Sequence, residues 1–197
     1  AFARCARDHS DIQMVFAEEG QLRRFWSDFR GETAIPAMSR HRLIRSGGTI
    51  AEDVDLVDEL RVATRDELEQ IVSAHAEMVF AETGVDPLKA DADGFRMRCA
   101  DRVDRGWVWV WMKGDELIFK TDIVSVTPEA IYMEGLWVGP QERGKRYSTR
   151  CMATLSRKLR SGSNEICGFV DADHLLANSL YRNAGFVEVD EYAKIYL

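Results

Sequence analysis

Residues 132–150 constrain this chain more than any other stretch: Tyr-Met-Glu-Gly-Leu-Trp-Val, then Gly-Pro, then Gln-Glu-Arg-Gly-Lys-Arg, then Tyr-Ser-Thr-Arg. The apolar run reads as a strand that Gly139-Pro140 stops, and helical sequence begins at Tyr147 after a short polar loop. A strand entering a helix through such a loop leaves the first helical N–H groups without acceptors inside the helix. Those donors, together with the helix dipole, make an anion site best suited to phosphate. Arg143, Lys145, Arg146 and Arg150 sit at the same place, in a chain whose net charge is −7. The local charge therefore runs against the average.

That acidic average speaks against a general nucleic-acid or anionic-membrane binder, and neither is expected as a partner. No apolar run nears the ~18 residues of a membrane span, and no secretory leader is visible, so the expected location is the cytoplasm. Ala1 rather than Met opens the sequence, which suggests that an N-terminal portion is missing. Cys5, Cys99, Cys151 and Cys167 lie far apart, with neither CxxC nor Cys/His ligand spacing. Four buried, reduced thiols are expected, with no disulfide and no metal site.

The first break is the polar, Gly-rich run from Arg45 to Asp53. Before it, Ile12–Phe16 suits a strand and Gly20–Phe29 a helix that presents Leu22, Phe25, Trp26 and Phe29 on one side. So few elements in residues 1–50 cannot close a core alone, so this segment either docks on the rest of the chain or ends a longer domain. From residue 56 the pattern is orderly. A short strand ends at Val62, and Thr64 with Glu67 three residues on forms a capping box for a helix that stops near Gly84. Pro87–Val103 is a second helix. Trp107–Trp111, Glu116–Val126 and Ala130–Val138 alternate as strands. Tyr147–Leu159 is helical, Ser161–Asn164 breaks it, and Ile166–Val170 is a strand. Leu175–Asn183 is a helix closed by Gly185, and Phe186–Val189 and Tyr192–Leu197 finish as two strands. Trp107, Trp109 and Trp111 share a strand face and read as core. His9, His41 and His75 are scattered and read as structural.

Two motifs within this order carry a resemblance. Gln141-Glu-Arg-Gly144-Lys-Arg146 is similar to the Gln/Arg-x-x-Gly-x-Gly/Ala loop of the GNAT superfamily of acyl-CoA-dependent N-acetyltransferases. His174-Leu-Leu-Ala177-Asn-Ser-Leu180-Tyr181-Arg-Asn-Ala-Gly185-Phe186 resembles its Asn-x-x-Ala-x-x-Leu-Tyr-x-x-x-Gly-Phe. Each motif alone is modest; the two in order and at this separation are specific. The resemblance covers about residues 57–197. It implies an α/β (α+β) fold, a mixed and mostly antiparallel twisted sheet flanked by helices. It also implies acetyl-CoA as co-substrate and an amine as acceptor, either a small molecule or a protein lysine. Residues 1–50 more weakly resemble the end of a preceding GNAT-like domain, leaving 56–197 as the acetyltransferase domain.

The backbone from Arg143 through Lys145 and Arg146 to Tyr147 and Ser148 would cradle the pyrophosphate, with Gly144 allowing close approach. The resemblance implies that the backbone at Leu136 and Val138 pairs with the pantetheine arm and that Tyr181 protonates the departing thiolate. His174, Asn178 and Tyr181, at i, i+4 and i+7, fall on one helix face and extend the site. Glu134, placed on the strand face of Tyr132, Leu136 and Val138, would take a proton from the acceptor ammonium or bind its charge. Arg146 stands where the family has Gly or Ala, Ser148 where a small Gly is frequent, and His174 where it has Asn. These departures support one alternative, a non-catalytic acyl-CoA sensor or scaffold of the same fold. A homodimer is open, through the Trp-rich strand or the N-terminal segment.

Overall fold

The structure, a computed structural model, describes residues 2–9, 12–32, 34–35, 37–159 and 165–197; the predicted break at Ser161–Asn164 lies outside them. The strands are β1 (Met14–Glu18), β2 (Ser39–Ser46), β3 (Arg61–Val62), β4 (Val108–Lys113), β5 (Glu116–Val126), β6 (Ala130–Val138), β7 (Glu165–Asp171) and β8 (Phe186–Tyr196). Among the described residues they form one sheet, ordered β1-β8-β2-β7-β6-β5-β4-β3. Every neighbouring pair is antiparallel except β6 with β7. The helices are α1 (Phe2–Asp8), α2 (Glu19–Arg30), α3 (Leu68–Thr83), α4 (Pro87–Asp104), α5 (Tyr147–Leu159) and α6 (Leu175–Asn183). The mixed, mostly antiparallel sheet flanked by helices is the fold class expected from the sequence.

Alternation decides which helix covers which face. Ile131 and Met133 of β6 and Ile166 and Val170 of β7 pack with Cys151, Met152 and Leu155 of α5. The opposite face of the β3–β6 half meets α3 and α4 through Ile71, Val72, Phe95 and Val103. Thr64 and Glu67 do form the predicted cap: the Glu67 carboxylate accepts from the Thr64 backbone N–H at 2.5 Å and from its hydroxyl at 2.9 Å. The Trp-rich strand is core as expected, with Trp111 buried and Trp107 and Trp109 packed against the main cluster.

The N-terminal segment enters the sheet. β2 lies between β7 and β8, and β1 forms the edge beyond β8. α2 buries Leu22 and Trp26 against Ala193 and Ile195 of β8. The two predicted C-terminal strands are instead one strand, β8. Its register against β2 shifts between Leu43 and Ile44, which face Asp190 and Glu188, so Val189 is an extra residue. A bulge there lets the strand run past Asp190 and Glu191 without a turn.

β6 and β7 pair at three positions only, ending at Tyr132 with Cys167. Beyond that point they part. At the fork a Cβ on Gly168 would stand 3.0 Å from the Met133 carbonyl oxygen, so a glycine allows the close approach. A cleft of about 750 Å³ opens between the splayed strands and is closed by the loop before α5 and by α6.

Candidate active site

On the β5 side of β6 the register slips between Lys120–Trp137 and Asp122–Glu134, leaving one extra residue on β6. Gly135 takes φ +69 at the slip, a left-handed conformation that favours glycine. A bulge inverts the alternation beyond it. Leu136 and Val138 therefore join Ile131 and Met133 on the α5 face. Trp137 turns to the α3–α4 face and donates to Glu77 at 3.0 Å. Glu134 is thereby separated from Leu136 and Val138, contrary to the shared face expected from simple alternation. The bulge puts the carboxylate on one side of the sheet and the two apolar side chains on the other.

Buried charge holds that bulge. Lys120, fully buried, donates to both carboxylate oxygens of Asp122 at 2.9 and 2.8 Å and to the Gly135 carbonyl at 3.2 Å. Thr121 Oγ1 donates to the Glu134 carbonyl at 3.1 Å. The Glu134 side chain has no hydrogen-bond or ion-pair partner among the described residues, and it lines the cleft. Desolvation by the cleft walls holds its carboxyl above the usual range, partly offset by Arg102.

In the loop before α5 the side chains and the backbone differ in what they leave free. Arg143 pairs with Glu77 at 3.0 Å and donates to the Val138 carbonyl at 3.2 Å. The Lys145 ammonium pairs with Glu142 at 2.9 Å, and its side chain does not line the cleft. Arg146 reaches Asp53 at 2.5 Å, and Arg150 donates to the Asp55 carbonyl at 3.2 Å. Each of the four cations is thus already engaged. The backbone is different: among the described residues, no N–H from Gly144 to Thr149 donates to another residue. Gly144, at φ +79, has open space around its Cβ position, so its glycine serves the backbone angle and not close packing. Arg146 holds φ +60, the one non-glycine with positive φ among the described residues, at the position where the family motif has Gly or Ala.

α6 also differs in part. His174 is the N-cap, its Nδ1 accepting from the Ala177 N–H at 3.1 Å, and it lines the cleft. Asn178 does not share that face. Its amide donates to the Asp171 and His174 carbonyls, both at 2.9 Å, and its oxygen accepts from Arg42 of β2 at 3.0 Å. Asn178 therefore anchors α6 to β7 and β2. Tyr181 lines the cleft with Glu134 and packs edge-on against Phe186 at 5.4 Å. Burial, with Tyr132 adding, pushes its phenol up to about 12, and its hydroxyl has no partner among the described residues.

A family model described as the acetyltransferase (GNAT) family matches residues 69–186. The chain belongs to that family. Fold comparison agrees. A GNAT-family acetyltransferase from Colwellia psychrerythraea superposes with a TM-score of 0.71 at 11% identity, over 100% of this chain and 70% of that one. A GCN5-related N-acetyltransferase from Sphaerobacter thermophilus gives 0.62 at 12% identity, over 98% of this chain and 63% of that one. At these identities the likeness is one of fold. No curated protein matches the sequence.

Of the four thiols, Cys99 and Cys151 are buried, but Cys5 is exposed and Cys167 half-buried, so the expectation of four buried thiols holds for two. Burial pushes the Cys151 thiol up to about 12, far from a nucleophilic thiolate. Among the described residues no cluster of His, Cys, Asp or Glu could hold a metal ion, and no helix is long and apolar enough to cross a membrane. Sequence reasoning missed Phe169, which lines the cleft from β7, and the Lys120–Asp122 pair beneath the bulge. Phe169 sits in an ordinary alternating strand. The i, i+2 spacing of Lys120 and Asp122 inside an apolar strand was the visible signal for the pair.

Proposed function

We propose that this GNAT protein is a cytoplasmic N-acetyltransferase that moves the acetyl group of acetyl-CoA to a primary amine within a ternary complex. One observation carries the reading: a run of unpartnered N–H groups from Gly144 to Thr149 opens onto the same cleft as Glu134 and Tyr181. The pyrophosphate takes those donors at the positive end of α5. The pantetheine arm lies along β6 at Leu136 and Val138, whose edge has no β7 partner beyond Tyr132. A β6 N–H past the bulge polarises the thioester carbonyl.

With both substrates held, proximity supplies much of the rate. The amine nitrogen bonds to the acetyl carbon, and the carbon–sulfur bond breaks. The surplus amine proton goes to Glu134, and the leaving thiolate takes the proton of Tyr181. A phenol with a pKa near 12 is protonated throughout the neutral range, as an acid in this role must be. Glu134, with its carboxyl raised by the cleft walls, is a stronger base than a fully solvated glutamate.

Isothermal titration with acetyl-CoA tests the cofactor half, with Gly144→Trp as control. Saturable binding lost in the variant supports the loop; no binding in the unaltered protein sinks the reading. Tyr181→Phe tests the chemistry. Turnover should fall by about 10²–10⁴ with acetyl-CoA affinity unchanged. A protein that binds acetyl-CoA but turns over no amine would be the acyl-CoA sensor.

A further inference from the structure

The sheet face opposite α5 and α6 carries a feature that acetyl-CoA binding does not use. Five rings meet there from five strands: Phe16 (β1), His41 (β2), Tyr132 (β6), Phe169 (β7) and Tyr192 (β8). Phe16 stands edge-on to Phe169 at 4.6 Å and to His41 at 5.5 Å, and stacks on Tyr192 at 5.5 Å. Phe169 meets Tyr192 at 5.0 Å and Tyr132 at 6.0 Å. Their registers agree on one face, with His41 opposite Tyr192 and Leu43 opposite Phe169. All five are half-buried. The apolar contacts of α3 and α4 cover this face over the β3–β6 half, and Glu82 at the end of α3 reaches beyond it to β8.

Charge gives the ring floor a direction. Glu134 lies on this same face beyond Tyr132, at the mouth of the cleft, with a carboxylate that no residue neutralises by contact. At the outer rim, Glu82 from the last turn of α3 reaches Lys194 of β8 at 3.8 Å, so a charged bridge spans from the helix to the sheet. His41 is kept toward its neutral form by burial and by Lys194. A free anion at the inner end and a patch of mutually edge-on rings behind it complement a ligand with an ammonium at one tip and an aromatic body that packs against ring edges. Asp171 also lines the cleft, but its Oδ1 already accepts from the Asp173 N–H at 2.8 Å, so among the described residues the cleft offers a polyamine or an aminoglycoside one carboxylate wholly free of partners, Glu134.

We propose that the acceptor is a small primary amine carried on a flat aromatic body, an arylalkylamine, and that β1 and β2 complete its site through Phe16 and His41. This rests on the acetyl-transfer reading. The ring packs against Phe16, Phe169 and Tyr192, and the ammonium faces Glu134: one of its protons passes to solvent and frees the lone pair, and Glu134 takes the second as the nitrogen bonds to the acetyl carbon and the thiolate leaves with the Tyr181 proton. Phe16 and His41 are specificity-determining through ring contact with the acceptor body.

The probes are phenethylamine, n-butylamine and spermidine, followed by saturation-transfer NMR with and without acetyl-CoA and by release of free CoA thiol. Phenethylamine ring protons should saturate, and its kcat/KM should exceed that of the other two by roughly tenfold or more. Phe16→Leu, which keeps an apolar side chain on the edge strand, should raise the phenethylamine KM and erase the preference. The acetyl-CoA KM should not change, which a general loss of fold would not allow. His41→Leu gives a second variant should the first fail to fold. Equal kcat/KM for the three amines, a preference untouched by either variant, or a stable homodimer that buries Phe16 would each overturn the proposal. Failure of acetyl-CoA to bind while phenethylamine still saturates would overturn the acetyl-transfer reading and leave the ring site standing. Absence of saturation with acetyl-CoA bound would do the reverse.

Discussion

Two regions of this molecule bring lysines and arginines against carboxylates, and they use charge in opposite ways. In the loop before α5, Arg143, Lys145 and Arg146 are exposed, and each pairs with one surface carboxylate, Glu77, Glu142 or Asp53. Beneath the β6 bulge, Lys120 and Asp122 are almost wholly buried, with Arg102 at 3.2 Å and His75 at 3.8 Å from the same carboxylate. Exposed pairs are screened by water and spend side-chain entropy, so each is worth about 0–1 kcal/mol. A buried pair cannot lose one member without stranding the other. The charge run that dominates the sequence is thus the weaker electrostatic feature. The pair that no charge run announces positions the bulge, and with it Glu134.

Breaking the buried pair should have the largest effect on stability. Lys120→Met leaves Asp122 without its closest cation and the Gly135 carbonyl without its donor, a loss of about 3–5 kcal/mol. The denaturant midpoint reads it. Lys120→Met with Asp122→Leu should recover most of the loss, because replacing both charges by apolar groups removes the stranded ion. If the double variant stays as unstable as the single, the cost lies in the bulge carbonyl and not in the ions. Arg143→Ala, by contrast, should move the midpoint by less than about 1 kcal/mol.

This contrast also marks what was legible in the sequence. The loop, α5, α6 and the order of elements from β4 to β7 were readable because glycine, proline and apolar period are local signals. Leu175–Asn183 and Tyr147–Leu159 fall where the pattern put them. The bulge was not readable. Gly135 inside a strand is a hint, but the slip depends on how β5 registers against β6, which is a tertiary fact. Simple alternation puts Glu134 on the face of Leu136 and Val138, and a one-residue slip exchanges faces, although all three still line the cleft. The same reason hid the role of β2: nothing local says that residues 39–46 separate β7 from β8 and supply the pairing that a C-terminal hairpin would otherwise provide. Helical spacing places Asn178 on a face but does not say that three carbonyls wait there for its amide.

The buried cluster should also show itself in pH dependence. Burial first, then the cations Lys120 and Arg102, pulls the His75 imidazole from 6.5 to about 4, against the opposing Asp122. The folded state therefore keeps His75 neutral where the unfolded chain takes up a proton. This stability is accordingly fully present above about pH 6.5 and is lost as pH falls toward 4, by up to about 3 kcal/mol. Chemical denaturation at a series of pH values checks it, and His75→Gln should flatten that part of the profile. An equally steep profile in the variant would place the proton uptake elsewhere.

The smallest effect belongs to the exposed region, and it is the sharpest test of the comparison. Arg146 holds φ +60, which costs a residue with a Cβ about 1–2 kcal/mol, and its pair with Asp53 returns about 1 kcal/mol at most. Arg146→Gly gives up the pair and the strain together, while glycine adds freedom to the unfolded chain. These terms nearly cancel, so stability should stay within about 1 kcal/mol of the unaltered protein. Acetyl-CoA affinity discriminates further. If backbone N–H groups hold the pyrophosphate, removing a guanidinium already committed to Asp53 should leave the Kd unchanged or tighter. A tenfold weaker Kd, about 1.4 kcal/mol, would mean that Arg146 leaves Asp53 for the phosphate on binding. The exposed cations would then be a reserve of charge that the ligand recruits, and the division between the two regions would hold only for the free protein.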